Sequence, residues 1–470
     1  MPSLKPIPEQ TLLTPSETVP LSHPTQSTSR LTSYASSGLS GIVTIPGDKS
    51  ISHRSLIMGG MATGTTRISG LLRGEDVLST LSAMRQLGVE IIDEGDDIIV
   101  HGVGTGGFTS PETALDLGNA GTGVRLLMGA VAGQNITATF IGDESLSVRP
   151  MRRITDPLEL MGAGVQYQPE LAEKGFLPVT ITGATPPLPL QFTSKVASAQ
   201  VKSAIMLAAV NARGQSIITE PHISRDHTES MLRHFGVEVE QIHHADRRHE
   251  IRLSGEAQLT AADIQVPRDP SSAAFAMVAA LITPDSDITL PAISMNPQRT
   301  GLITTLCEMG GTIDITNERI EGGEAVADIR VRSSQLQGIE VPEERSASMI
   351  DEYPILAIAA STARGQTFMP GVAELRVKET DRIAVTAQGL AACGVDVTEQ
   401  PDSLTVTGTD LIAGGAEIAS QHDHRIAMSF LTLGLVSKAA ISVTDIETIA
   451  TSFPGFAELM RGAGADLRSG

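Results

Sequence analysis

The chain has 470 residues and a formal net charge of −20, from 34 basic and 54 acidic residues. That length exceeds what a single hydrophobic core usually serves, and the acidic balance argues against a nucleic-acid binder or a protein held on anionic membranes. Two cysteines without ligand spacing, no tryptophan and 3% aromatic residues disfavour a disulfide framework, a zinc site and a stacking surface for sugars or bases, so the expected ligand is small and polar.

Residues 1–38 are rich in Pro, Ser and Thr with little periodicity, and are expected to form a flexible extension outside the fold. They contain Glu9 and Glu17 and only Lys5 and Arg30 as basic residues, which does not suit a transit peptide. A cytoplasmic protein is expected, with organelle targeting through residues 1–38 as the alternative. No uncharged run of about 18 apolar residues appears, so no membrane span is expected.

The stretch Gly47-Asp-Lys-Ser-Ile-Ser-His-Arg54 then crowds cations into the opening of an apolar segment that reads as a buried helix. A helix N-terminus already carries partial positive charge, so Lys49 and Arg54 there are unfavourable unless an anion binds them. Taken alone, the stretch fits an anion site and a pair of snorkelling side chains equally well. It lacks the spacing of a phosphate-binding P-loop.

Farther along, a helical tail ending in glycine and followed by an aliphatic recurs six times. Gly88, Gly162, Gly236, Gly310, Gly394 and Gly464 mark it, at intervals of 74, 74, 74, 84 and 70 residues. Interleaved with these amphipathic segments are alanine-rich helices, apolar nearly all round, starting near Lys49, Gly121, Ser198, Ser271, Asp351 and Asp423. Each is followed by a β-branched run such as Ile136-Thr-Ala-Thr-Phe140. The pattern predicts an α/β protein of six βαβαββ-type units in two domains of three. Ser, Thr and Asp at the helix starts are ordinary caps. Capping does not explain Lys49, Arg54, Arg125, Arg149, Arg225, Lys378, Arg382 and Arg425, all within a turn or two of a helix start. If the N-termini converge on a cleft between the domains, these residues form a site for more than one anionic group.

The motifs that carry these residues run from about 40 to 465 in a familiar order. They are the Gly47–Arg54 stretch, Gly118-Asn-Ala-Gly-Thr-Gly-Val-Arg125, Ser147-Val-Arg-Pro-Met151, Ala197-Ser-Ala-Gln-Val-Lys202, Asp351-Glu-Tyr-Pro354, Arg376-Val-Lys-Glu-Thr-Asp-Arg382 and Asp423-His-Arg-Ile-Ala-Met428. In them the chain resembles the 5-enolpyruvylshikimate-3-phosphate (EPSP) synthase family, the 3-phosphoshikimate 1-carboxyvinyltransferases. Ser198-Ala199-Gln200 and Arg225-Asp-His-Thr228 look like its class II.

The resemblance implies a domain of residues 48–260 inserted into one made of 39–47 plus 261–467. It implies transfer of the enolpyruvyl group of phosphoenolpyruvate to the 5-hydroxyl of shikimate 3-phosphate, with release of phosphate, in the shikimate pathway to aromatic amino acids. No metal or organic cofactor is implied, and a monomer is expected. Residue by residue, Lys49, Ser50, Arg54, Ser198, Gln200, Arg225, Asp351 and Lys378 would hold shikimate 3-phosphate. Lys49, Gly121, Arg149, Gln200, Arg382 and Arg425 would hold phosphoenolpyruvate. Asp351 is the implied base and Glu379 the implied acid, with Lys49 able to move protons.

Two positions depart from the family pattern: Thr451 stands where many members have a lysine, and Glu374 where others often have Asn. Gly121, where tolerant members have alanine, implies sensitivity to glyphosate. The alternatives are the sister transferase acting on UDP-N-acetylglucosamine, whose hallmark is a loop cysteine, and a non-catalytic anion-binding protein. Cys307 and Cys393 fall in helix tails, and both carboxyls needed for turnover are present.

Overall fold

In this computed structural model, which describes residues 29–469, all six marker glycines adopt positive φ, from +84° to +114°. A side chain is disfavoured in that region, so glycine ends the helix and releases the chain into a strand. The helices in chain order are α1 (Lys49–Met61), α2 (Glu75–Gln86), α3 (Gly121–Ala132), α4 (Glu144–Ser147), α5 (Arg152–Leu160), α6 (Ala199–Ala209), α7 (His227–His234), α8 (Pro270–Ile282), α9 (Gly301–Glu308), α10 (Tyr353–Ser361), α11 (Arg382–Ala392), α12 (His424–Gly434) and α13 (Phe456–Ala463). Two small shifts from expectation matter for the site. Asp351 sits in a single 3-10 turn, Ile350–Glu352, just before α10, and Arg149 lies in the link between α4 and α5.

Apolar residues all round the alanine-rich helices are accounted for by their position: α8, for example, is buried from Pro270 to Leu281. Helix α3 packs against α1 and α6, and α8, α10 and α12 pack against one another. The α3–α6 contact is very close, since a Cβ on Gly129 would lie 2.3 Å from the Ala204 carbonyl oxygen. The repeated unit has one sheet pattern. In the second, Thr137–Ile141 pairs in parallel with Leu115–Asp116 and antiparallel with Val179–Thr182, which pairs in turn with Gly164–Tyr167. The third unit repeats it with Gln191–Thr193, Gln215–Glu220, His249–Ser254 and Val239–His243.

Three units are completed from elsewhere in the chain, the fourth by Ser40–Ile42, which lies parallel to Asp287–Ser294. The first takes its parallel edge from Leu259–Thr260 and Ile264–Gln265. The sixth takes a central strand, Arg30–Tyr34, which lies antiparallel between Ile441–Thr444 and Asp466–Ser469. This corrects the reading of residues 1–38 as an extension outside the fold: from Arg30 the chain is part of a sheet, with Leu31 3% exposed and Ser33 wholly buried. A five-residue strand in a Ser/Thr-rich context has too few apolar positions to show its period. Residues 1–28 lie outside the described residues.

The buried apolar residues form two clusters. One joins Leu31, Leu39, Val43 and Ile45 to residues from Ala273 to Leu467, and the other runs from Ile51 to Val266. The chain crosses between them twice, side by side: the Asp48 amide donates to Pro267 O at 2.8 Å and the Asp269 amide to Pro46 O at 3.0 Å. Arg299 fastens the crossing, reaching Asp48 at 3.0 Å and Asp269 at 2.8 Å, and both aspartates also cap helices, α1 and α8. No helix among the described residues is long and apolar enough to cross a membrane.

Because Arg30–Tyr34 supplies a central strand, Leu31→Ala is expected to cost about 2–5 kcal/mol of stability, the usual range for a buried leucine. Denaturant unfolding measures this. An unchanged midpoint for a chain truncated through Tyr34 would show that the strand is dispensable.

Candidate active site

The site is built on helix starts. Asp48 caps α1 through the Ile51 amide at 2.8 Å and so sets Lys49 and Ser50 in its first turn. Ser198 caps α6, placing Gln200 beside the start of α3, where it donates to Thr122 Oγ1 at 3.1 Å and accepts from Arg125 at 2.5 Å. Asp423 caps α12 and holds Arg382 Nε at 2.7 Å.

Asp351 is the meeting point of cations from both halves of the chain. Arg225, from the link before α7, donates to its Oδ2 at 2.8 Å, while Lys378 and Arg382 lie 3.4 Å from its Oδ1. Arg425 donates to its backbone carbonyl at 3.0 Å and to Glu352 at 3.1 Å. Burial alone would raise the Asp351 pKa, but Lys378, Arg425, Arg225 and Arg382 together hold it well below the usual carboxylate range.

Arg382, 1% exposed, links this group to a second one. Its Nη2 donates to Glu379 at 2.6 Å, and Glu379 lies 3.9 Å from Arg149. Here too burial pushes the Glu379 carboxyl upward, and Arg382, then His424 and Arg149, more than reverse the effect. Arg149 is aimed by Asn119 Oδ1 at 2.7 Å and Ser145 Oγ at 3.1 Å. Gly121 lets it approach α3, since a Cβ there would stand 3.1 Å from Arg149 Nη1. Lys49 donates to Asp76 at 2.5 Å, and the same neighbourhood contains His424, whose pKa burial lowers to about 3 with Lys49 assisting.

Lys49, Gly121, Arg149, Gln200, Arg225, Asp351, Lys378, Glu379, Arg382 and Arg425 are thus drawn into one connected region. Arg54 is not at its surface. It is 2% exposed and donates to Thr228, Ser203 and the Ser50 carbonyl, beneath the start of α1. Burial lowers its pKa to about 10. Two neighbours carry no role in the sequence: Asp76, which reads as an ordinary helix-start acid, and Asn119, visible only as part of its motif; Arg125, one of the helix-start cations but given no substrate, has its pKa brought to about 9 by burial and the nearby Arg153 and Arg149. Glu374 pairs with Lys378 at 3.0 Å, and Thr451 closes on the Thr448 carbonyl at 2.7 Å. Cys393 is buried in the core, which pushes its thiol up to about 11, and Cys307 lies near the far end of α9.

A family model described as EPSP synthase (3-phosphoshikimate 1-carboxyvinyltransferase) matches residues 34–460. The chain is 55% identical over 443 residues to the 3-phosphoshikimate 1-carboxyvinyltransferase of Parvibaculum lavamentivorans, covering 94% of this chain and 97% of that one. With the enzyme of the same name from Cereibacter sphaeroides the identity is 53%, covering 94% and 98%. The solved EPSP synthase of Acinetobacter baumannii superposes with a TM-score of 0.86 at 46% identity, covering 94% of this chain and all (100%) of that one. The enolpyruvyl transferase NikO of Streptomyces tendae, at 17% identity and a TM-score of 0.74 over 94% and 99% of the two chains, shares the fold.

The charges imply a two-stage loss of stability in acid. His53 and His424 are buried with pKa values of about 3, so the unfolded chain takes up their protons first, and stability falls as pH drops from about 6.5. Asp351 and Glu379 are lowered in the folded state, so their contribution is complete above about pH 4 and is lost below it as they protonate. Melting temperature against pH should show both stages, with a shallower first stage in His53→Asn. A flat profile between pH 6.5 and 4 would contradict the histidine assignment.

Proposed function

This chain belongs to the EPSP synthase family, and from that membership we propose how its cleft carries out the transfer. The activity is that of a 3-phosphoshikimate 1-carboxyvinyltransferase: the enolpyruvyl group of phosphoenolpyruvate passes to the 5-hydroxyl of shikimate 3-phosphate, and phosphate is released. The observation that carries the proposal is Asp351, a carboxylate surrounded by Arg225, Lys378 and Arg382 at 2.8–3.4 Å. Such a group of cations suits two phosphorylated anions bound side by side, through the bidentate contacts that guanidinium groups make.

On this reading Ser50, Ser198, Gln200, Arg225 and Lys378 hold shikimate 3-phosphate, with Asp351 at the 5-hydroxyl. Gly121, Arg149, Gln200, Arg382 and Arg425 hold phosphoenolpyruvate, and Lys49 lies between the two substrates. Arg54, assigned to the acceptor by resemblance, acts from below, because its guanidinium is engaged by Thr228 and Ser203.

In the field of these cations Asp351 is a weak base and Glu379 is ionised, so neither is ready for proton transfer. The two substrates bring negative charge onto the same cations and push both carboxyls back up. Asp351 then takes the hydroxyl proton as the oxygen adds to the central carbon of the enolpyruvyl group. Glu379 or Lys49 supplies the proton to the methylene carbon. Collapse of the tetrahedral adduct expels phosphate and returns a proton from the methyl group.

The two apolar clusters are proposed to be two domains that close on the substrates, with the paired crossing near Asp48 and Asp269 between them. Arg225 and Asp351 come from opposite halves of one chain, so this pair needs no second copy, and a monomer is the proposed state. Both cysteines are unpaired, in keeping with the cytoplasm.

The decisive experiment is a phosphate-release assay with phosphoenolpyruvate and each acceptor. Release is expected with shikimate 3-phosphate and not with UDP-N-acetylglucosamine. The opposite preference, or silence with both, would overturn the assignment. Lys49→Ala should abolish turnover without unfolding the chain. Asp351→Asn should lower kcat by about 10²–10⁴ with a smaller change in substrate binding.

Gly121→Ala adds a methyl group 3.1 Å from Arg149 Nη1, forcing the guanidinium to shift. Inhibition by glyphosate in competition with phosphoenolpyruvate should weaken markedly, with a smaller rise in KM for phosphoenolpyruvate. Equal inhibition of both proteins would remove Gly121 from the inhibitor site.

A further inference from the structure

Beneath the acceptor side of the cleft lies a buried set of charges to which, Arg54 apart, the mechanism assigns no part. Lys202, on α6, is 1% exposed and reaches Glu229 of α7 at 2.8 Å and Glu220 at 3.2 Å. Both carboxylates are themselves buried, at 0% and 1% exposure. Burial opposes the Lys202 charge, yet Glu229 and Glu220 raise its pKa above the ordinary lysine value, so it stays protonated. Arg54 supplies the second positive charge: Glu229 is the foremost of the groups holding it protonated against burial. Two cations thus face two anions, a balance without which so many buried charges would be prohibitive.

The outward contacts of this set lead to substrate positions. Glu220 Oε1 accepts from the Ser198 amide at 2.7 Å, and both its oxygens accept from Ser224 Oγ, at 2.9 and 2.8 Å. Lys202 Nζ donates to the Ser224 carbonyl at 3.1 Å. Ser198 caps α6, and Ser224 immediately precedes Arg225, whose guanidinium reaches Asp351. One buried carboxylate therefore fixes the two segments that carry Ser198 and Arg225, and one buried ammonium fixes the second of them again.

We propose that Lys202 and Glu220 are positioning residues for the acceptor, holding Ser198 and Arg225 at the spacing that shikimate 3-phosphate requires. The inference rests on the assignment of those two residues to that substrate. Neither Lys202 nor Glu220 touches the substrates. Their direct contacts reach Ser198 and Ser224 and none of Arg149, Arg382 and Arg425, so the effect falls chiefly on the acceptor, with Gln200 of α6 the one donor-side residue on the same element. A one-ångström drift of such a pair is enough to cost one to two orders of magnitude in rate, about 10–100-fold.

The test is steady-state phosphate release by the full chain, varying each substrate in turn, with thermal melting measured alongside. Glu220→Gln keeps an oxygen for the Ser198 amide but loses the charge facing Lys202. It is expected to raise KM for shikimate 3-phosphate about 10-fold or more while leaving KM for phosphoenolpyruvate within about 2-fold. Lys202→Met leaves two carboxylates facing one cation and is at risk of misfolding, so Lys202→Met/Glu229→Gln, which restores the balance, is measured with it. The double variant should fold and show the same selective rise in the acceptor constant. Lower melting temperatures with both constants unchanged, or equal increases in the two constants, would overturn the inference while wild-type turnover upheld the reading beneath it. A wild-type protein without acceptor-dependent release would overturn both.

Discussion

The arrangement depends on placing like charges where they repel. Helix N-termini carry partial positive charge, and this protein adds arginine and lysine to them beside the aspartates that cap them. The stabilising partners come partly from the same unit, Glu379 for Arg382, Asp351 for Lys378 and Asp76 for Lys49, and partly from another, Asp423 for Arg382 and Asp351 for Arg225. Each cation is satisfied, but by carboxylates that anionic substrates can supplement or replace. Such a cleft suits anionic ligands, which can take over the part those carboxylates play.

The same field governs the chemistry. Carboxylates held far below their ordinary pKa values exchange protons poorly near neutral pH, so the part proposed for Asp351 and Glu379 requires that bound substrates raise them. On the proposed placement, two phosphorylated ligands would bring negative charge onto the same cations and oppose their effect on these groups. On that proposal binding and activation are one electrostatic event, and a substrate lacking its phosphate would lose more than an anchor.

Repetition makes such a site possible in an acidic protein. Each unit presents two helix starts, and the close packing of the alanine-rich helices, seen where Gly129 meets Ala204, brings those starts within side-chain reach of one another. Completion of the first and sixth units by distant segments ties both halves of the chain at the crossing fastened by Arg299. That crossing immediately precedes Lys49, so the most exposed cation of the cleft is set on a rigid base.

The sequence by itself determined the number of units, the class of the fold and the helix starts. These follow from local rules: glycine where φ must be positive, alanine where helices are buried, and cations where caps are expected. It also carried the family motifs, and through them nearly every residue of the cleft. Only the tertiary structure decided which charges meet. Arg54 and Arg225 look alike in sequence, each a cation near a helix start, yet one lies buried against Thr228 and Ser203 and the other crosses to Asp351. Strand Arg30–Tyr34 was equally illegible, because its pairing partners lie more than 400 residues away. The partnership of Lys202 with Glu220 and Glu229 is of the same kind: the residues are ordinary, and their meaning comes from low-dielectric burial that brings them together.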